Sequence, residues 1–173
     1  MPVTLASSNT FSHDTRETTF GAYLASVVDR PVQLEDEARA TFYMFGDSRD
    51  EAWEALSARY PKPPHLAKTD GAPSFGVGGR WSGVPMHLHG GGWSHVIHGR
   101  KLWWLYPRGV EPRFSELQTS LQYATHVLPK LSPDKRPPHA CVIGPGELLY
   151  FPDRWMHGTL NLDAFNVFMS VFD

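Results

Sequence analysis

The sequence has one cysteine, Cys141, and no block of five consecutive lysine or arginine residues among its 173 residues. A single cysteine excludes an intramolecular disulfide and a thiolate-rich zinc site. Without a basic block, and with a net charge of -2, the chain carries no electrostatic footprint for DNA or RNA. We therefore expect no nucleic-acid partner.

Long apolar runs are also missing. The longest apolar aromatic run is Leu102–Tyr106, far shorter than the roughly 20 residues that a membrane-spanning helix needs. The N-terminus shows no basic region followed by an apolar stretch, so no secretory signal is visible. The sequence thus predicts a soluble, intracellular protein that does not enter a membrane.

Glycine and proline are abundant instead, with 15 of each, and aromatic residues make up 13% of the chain. Many turns and many aromatic rings favour a sheet protein over a helix bundle. Short β-rich segments recur from residue 74 onward, and they predict strands over 74–79, 84–89, 94–98, 101–106, 139–143, 147–151, 157–162 and 166–172. Their spacing predicts a mainly β double sheet of the jelly-roll or cupin type.

Residues 1–73 mix helix and strand patterns and are predicted to cover the sheets formed by residues 74–173, within one compact unit. A capping box at Ser48–Glu51 predicts the start of a helix. The periodicities predict a helix over 19–29, a strand over 41–45, a helix over 51–60 and one helical insertion over 114–131.

Histidine is the residue type that points to chemistry, since seven of the nine histidines lie between His87 and His157. His87 and His89 occupy positions i and i+2 of a predicted strand, so both imidazoles project from one face. Such a pair can bind one metal ion, and His157 at the start of a late strand is the best third ligand. Imidazole binds Fe, Zn, Cu and Ni, so the ligands do not name the metal. The spacing alone equally allows a surface pair without a metal.

Three blocks around these histidines resemble the JmjC family of iron- and 2-oxoglutarate-dependent oxygenases. They are Gly83–His89, Gly99–Pro107 and Pro145–His157, in the order and at the separations of that family. The resemblance implies a double-stranded β-helix that holds Fe(II), with 2-oxoglutarate as cosubstrate. It further implies hydroxylation of a protein side chain, with a protein or peptide as substrate. Relatives often dimerise through helices that follow the last strand. The sequence ends at Asp173, directly after the last predicted strand, so we expect a monomer.

The resemblance also assigns roles to individual residues. His87 matches the first metal ligand and His157 the last, while His89 stands where the family has a carboxylate. Lys101 matches the lysine that binds the distal carboxylate of 2-oxoglutarate, and Asn166 lies where relatives often place a polar residue near the metal and cosubstrate.

Trp103 is expected to line this pocket or to pack in the core, as are Trp93 and Trp155. Val84 departs from the family, because relatives commonly have a threonine there that bonds the cosubstrate. His89 departs as well, since three neutral histidines donate less electron density to iron than a set with one carboxylate. A three-histidine site also suits zinc, and Zn, Ni or Mn can replace Fe(II).

These departures leave two other interpretations open. One is a catalytically weak or inactive metal-binding JmjC scaffold that acts through protein–protein contacts. The other is a three-histidine cupin dioxygenase that oxidises a small molecule without 2-oxoglutarate.

Overall fold

The computed structural model describes residues 1–6, 15–28, 42–46, 51–61, 63, 71, 73–110, 112, 114–115 and 117–172. The strands in these ranges are β1 (Pro2–Ala6), β2 (Thr15–Thr19), β3 (Tyr43–Gly46), β4 (Pro73–Gly79), β5 (Gly92–His98), β6 (Lys101–Tyr106), β7 (His139–Ile143), β8 (Leu148–Phe151), β9 (Met156–Asn161) and β10 (Phe165–Phe172). Two helices of more than one turn are α1 (Phe20–Val28) and α2 (Glu51–Ala58).

The strands form two antiparallel sheets. The larger sheet has the order β2-β1-β3-β4-β10-β5-β8, and the smaller has the order β7-β6-β9. Side chains of both sheets, among them Val96, Trp103 and Phe151, pack together in one cluster between them. The predicted mainly β, two-sheet fold is therefore confirmed, and seven of the eight strands predicted from residue 74 onward lie within two residues of their predicted ends.

The strand predicted over 84–89 is wrong as a regular strand. Pro85 has no N–H group to donate to a ladder, and the segment makes only an isolated bridge between His87 and His157. In that bridge each N–H donates to the other residue's carbonyl at 2.9 Å, and the N–H of Thr159 donates to the carbonyl of Val84 at 2.8 Å. The segment thus lies along β9 as an irregular edge.

The N-terminal elements extend and cover the larger sheet. Strand β3 pairs with both β1 and β4, so it continues the sheet. The predicted helices over 19–29 and from Glu51 are confirmed as α1 and α2, and Tyr23 and Trp53 pack from them onto Val77 of β4. Strands β1 and β2 were not predicted. Strand β2 is almost wholly exposed and has no alternating apolar pattern, and β1 alternates only over the short stretch that contains Val3 and Leu5.

Two predictions about this region concern residues outside the described ones. The first three residues of the predicted capping box, at 48–50, are among these. Of the predicted strand over 41–45, residue 41 lies outside the described residues; β3 begins at Tyr43 and Phe42 precedes it. The division of the chain at residue 73 stays a prediction.

The insertion between β6 and β7 is shorter and less regular than predicted. Its helical turns are Ser120–Gln122, the π-helical Tyr123–Val127 and the 3-10 segments Leu128–Lys130 and Pro133–Lys135. They begin at Ser120 and not near residue 114, because the extended Thr119 caps the first turn by accepting the N–H of Gln122. Leu121 and Tyr123 pack onto the outer face of the smaller sheet. No described helix has the length and apolar character needed to cross a membrane.

Candidate metal centre

Three histidines meet at the edge of the smaller sheet. His157 follows the first residue of β9, and the bridge described above holds His87 beside it. The carbonyl of His89 accepts the N–H of Arg154 at 3.0 Å, which ties this residue to the turn before β9. The ring centroids lie 4.3 Å apart for His87 and His157, 5.0 Å for His87 and His89, and 4.9 Å for His89 and His157.

The orientation of each ring is set by a backbone carbonyl. Nδ1 of His87 lies 2.7 Å from the carbonyl of Pro85, and Nδ1 of His157 lies 2.7 Å from that of Trp155. Nδ1 of His89 lies 2.8 Å from the carbonyl of Gly90. Because a carbonyl only accepts, each Nδ1 carries the proton, and each Nε2 keeps a free lone pair. Metal-binding histidines are typically oriented in this way.

Burial keeps these imidazoles neutral. Desolvation lowers the pKa of His87 to about 4, with a smaller effect from the neighbouring His89. Desolvation likewise lowers the pKa of His157 well below its ordinary value, and it lowers that of His89. At neutral pH all three rings therefore present lone pairs, which is the form that binds a metal ion.

These residues fit a metal ion. The candidate ligand atoms of the three histidines lie within 4.8 Å of one another. Nε2 of His89 is buried and has no hydrogen-bond partner among the described residues, a costly arrangement unless something binds the lone pair. Three imidazoles suit Fe, Zn or Ni and leave further coordination positions free.

Aromatic side chains surround the histidines. The ring of Phe151 stacks on His157 at 4.6 Å between centroids, and Trp103 stacks on it from 5.7 Å. The ring of Phe172 meets His89 edge-on at 4.6 Å. These contacts exclude water from the sides of the cluster and hold the imidazole planes in place.

Lys101 lies in the same cavity and is buried, with 1% of its surface exposed. Its Nζ donates to Oδ1 of Asn161 at 3.4 Å and lies 3.5 Å from the centroid of the Phe168 ring. No carboxylate of a described residue forms an ion pair with it. Burial lowers the pKa of Lys101 to about 7, since a charge without an ionic partner is poorly solvated here.

The cavity that connects His87, His157 and Lys101 is small. Its volume is about 20 Å³, and the aromatic side chains that line it are Phe45, Trp103, Phe151, Phe168 and Phe172. A cavity of this size holds about one water molecule. The charge of Lys101 fits a carboxylate of 2-oxoglutarate, but the space does not fit this five-carbon dicarboxylate while the rings keep their positions.

The other residues singled out from the sequence lie at different distances from this cavity. Trp103 is in the cavity wall, whereas Trp93 stacks on Tyr60 away from it. Trp155 acts through its carbonyl on His157. Asn166 is fully buried on β10, and both polar atoms of its amide lack hydrogen-bond partners among the described residues, but it is not part of the cavity wall.

Two residues that contact Lys101 were not predicted from the sequence. Asn161 accepts from the lysine and donates through Nδ2 to Oγ of Ser82 at 3.1 Å. Phe168 faces the lysine from β10. A period of two along β10, with Asn166, Phe168, Ser170 and Phe172 on one face, was the available signal for the second of these.

No family model matches the chain. JmjC domain-containing protein 8 of Rattus norvegicus is 43% identical over 171 residues, which cover 98% of this chain and 62% of that protein. The 2-oxoglutarate and iron-dependent oxygenase JMJD4 of Homo sapiens is 28% identical over 145 residues, or 78% of this chain and 32% of that protein.

Among solved structures, the ribosomal oxygenase YcfD of Escherichia coli superposes with a TM-score of 0.57 at 15% identity. The match covers 99% of this chain and 39% of that one. At this identity the likeness concerns the fold alone, and it agrees with the two-sheet architecture.

Proposed function

We propose that the chain belongs to the JmjC-domain family, on the basis of its 43% identity over 171 residues to JmjC domain-containing protein 8, and that it is a metal-dependent oxygenase that uses Fe(II) and 2-oxoglutarate to hydroxylate a protein side chain. The observation that carries the proposal is the convergence of three neutral imidazoles beside a buried lysine in one cavity. The chain spans less than two thirds of the length of the rat relative, so activity, substrate and partners are proposals throughout.

Each residue of the centre has a separate task. His87, His89 and His157 would hold the metal through Nε2, because their Nδ1 atoms are bonded to carbonyls. Lys101 would bind a cosubstrate carboxylate as an ammonium, and the carboxylate would in turn favour the charged form of the lysine. When bound, Fe(II) and 2-oxoglutarate supply the activation of O₂ that oxidises a C–H bond. Phe151 and Trp103 would keep water away from the reacting groups.

A protein or peptide is the proposed substrate. His87 and His89 are only partly buried, so the cluster reaches towards the surface. Leu88 between them is 50% exposed and offers an apolar contact next to the metal ligands. A macromolecular substrate can approach on this side without entering the small cavity.

A turnover assay tests the proposal. The protein is purified anaerobically, loaded with Fe(II), and supplied with 2-oxoglutarate, O₂ and cell-extract peptides, and succinate is measured together with metal stoichiometry. His157→Ala removes one ligand, and His126→Ala is the matched control, because His126 is exposed on the insertion. Succinate formation that does not exceed that of His157→Ala would reject the oxygenase.

A metal-binding scaffold without turnover is the second candidate, and the cavity volume favours it. A cavity of about 20 Å³ has no room for the cosubstrate unless aromatic rings move. In that case the protein binds metal with wild-type stoichiometry but forms no succinate. A His89→Asp variant that gains turnover would then support the scaffold, because it would show that the native site lacks the carboxylate ligand.

A further inference from the structure

The ring of Phe168 lies over the ammonium of Lys101. Its centroid is 3.5 Å from Nζ, within the range of a cation–π contact, and the lysine is buried. The only other described contact of this ammonium is the long hydrogen bond of 3.4 Å to Asn161. An aromatic face therefore substitutes for the anion that a buried cation ordinarily requires.

The position of this ring is supported from both sides. Phe168 is the cross-strand partner of Gly76 on β4, and a Cβ atom at Gly76 would overlap the ring. Phe45 of β3 packs against the ring from the cavity, with centroids 5.2 Å apart. The absence of a side chain at Gly76 thus creates the slot that holds Phe168 against Lys101.

The ring of Phe168 and the cosubstrate would compete for the same space. The remaining cavity of about 20 Å³ adjoins His87, His157 and Lys101. It admits a ligand the size of water or O₂, whereas a dicarboxylate that reached both the metal and Lys101 would overlap the ring.

We propose that Phe168 is the specificity-determining residue of this centre: its ring competes with carboxylates for the ammonium of Lys101. The cosubstrate binds only when the ring leaves its slot against Gly76. This inference rests on the proposed function, since the proposed role of Lys101 as a carboxylate site is part of it.

Calorimetric binding of 2-oxoglutarate to the Co(II)-loaded full chain under anaerobic conditions tests the competition. We expect Phe168→Leu to bind about 10- to 30-fold more tightly than the wild type, the factor that corresponds to loss of a desolvated cation–π contact. Phe168→Met, of similar volume but without an aromatic face, should gain affinity in the same direction. Adding Lys101→Met to Phe168→Leu should abolish the gain.

Phe45→Leu is the matched control, because it removes a ring from the same cavity that packs on Phe168 and not on the lysine. An equal gain in Phe45→Leu that survives the addition of Lys101→Met would mean that volume alone limits binding, and would overturn the competition. An unchanged or weaker affinity of Phe168→Leu, in a protein that retains wild-type Co(II) stoichiometry, would overturn it too.

The outcomes separate this inference from the proposed function. If wild type and Phe168→Leu bind 2-oxoglutarate equally and both form succinate with Fe(II) and O₂, the competition is wrong and the oxygenase stands. If Phe168→Leu binds tightly through Lys101 but no protein forms succinate, the competition stands and the oxygenase is wrong. If none of the proteins binds 2-oxoglutarate, both are wrong.

Discussion

The two ends of one small cavity satisfy their polar atoms in opposite ways. At the histidine end, three backbone carbonyls accept hydrogen bonds from the Nδ1–H groups, so three Nε2 lone pairs remain for a ligand from outside. At the lysine end, Asn161 and Phe168 supply partners from within the protein. The proposed metal donors are therefore preorganised, whereas the proposed anion site at Lys101 would exist only after the protein gives up a contact of its own.

The largest effect is expected at the histidine end. Replacing His157 by Ala removes one of three donors, and we expect the affinity for Co(II) or Zn(II) to fall by roughly 1000-fold, more than loss of an outer-shell partner costs. Competition titration with a chromophoric chelator measures this affinity. His126→Ala serves as the control and should bind as the wild type does, and an equal loss in both variants would contradict the proposed centre.

The next effect has the opposite sign and concerns the lysine end. Lys101→Met should raise the free energy of unfolding at pH 7 by about 2–4 kcal/mol, because it removes a buried ammonium without an ionic partner. Folding lowers the pKa of Lys101 from 10.5 to about 7, so the unfolded chain binds the proton more readily between these values. Wild-type stability should thus fall as the pH decreases from 10.5 to 7.

Urea denaturation at several pH values checks both statements. The advantage of Lys101→Met should be largest at pH 7 and vanish above the ordinary lysine pKa of 10.5. Lys135→Met is the matched control, since that side chain is 73% exposed, and its stability should equal that of the wild type. A destabilised Lys101→Met would mean that the lysine contributes to folding rather than opposing it.

A smaller effect tests the slot that holds Phe168. Gly76→Ala introduces a methyl group that overlaps the ring, and we expect it to destabilise the protein by about 2 kcal/mol through overpacking. In a Phe168→Leu background the same substitution should cost about 1 kcal/mol less, because the smaller side chain yields. A double-mutant cycle by urea denaturation measures this coupling, and strictly additive losses would show that the two residues do not interact.

The smallest effect is expected at Arg100, which is adjacent to Lys101 but exposed to solvent. Arg100 points outward and pairs with Asp163, with Nη2 to Oδ1 at 2.7 Å and side-chain exposures of 59% and 32%. Exposed ion pairs contribute little, because water and salt screen them. Arg100→Met should therefore leave the thermal midpoint close to that of the wild type, unlike Lys101→Met. A large shift of the thermal midpoint would show that the ion pair of Arg100 and Asp163 supports the turn between β5 and β6.

The sheet pattern was predictable from sequence, because alternation and the Gly and Pro boundaries mark most strands within two residues. The grouping of the three histidines was also predictable, but the regular strand from which it was predicted is absent. Pro85 prevents a regular strand, and the rings converge because turns and a bridge bring His87 to His157. Such backbone detail depends on contacts between distant segments, which local propensity does not record.

The lysine end was only half predictable. The apolar and aromatic residues that follow Lys101 in β6 agree with its burial. Its partners lie on β9 and β10, and the fit of Phe168 depends on a glycine on β4. The contact between Lys101 and Phe168 requires β4, β6 and β10, which are remote from one another in sequence. No residue spacing within one segment could therefore have indicated it.

The bridge between His87 and His157 has a consequence for the entropy of the unfolded chain. The two residues are separated by 70 positions, so a metal ion bound to both would close a loop of that length in the chain. Cross-links that close long loops restrict the unfolded ensemble most, by roughly 4 kcal/mol for loops of this order. A metal here would serve as a removable cross-link, and chelation would lower stability by freeing the unfolded chain as well as by losing bonds in the native one.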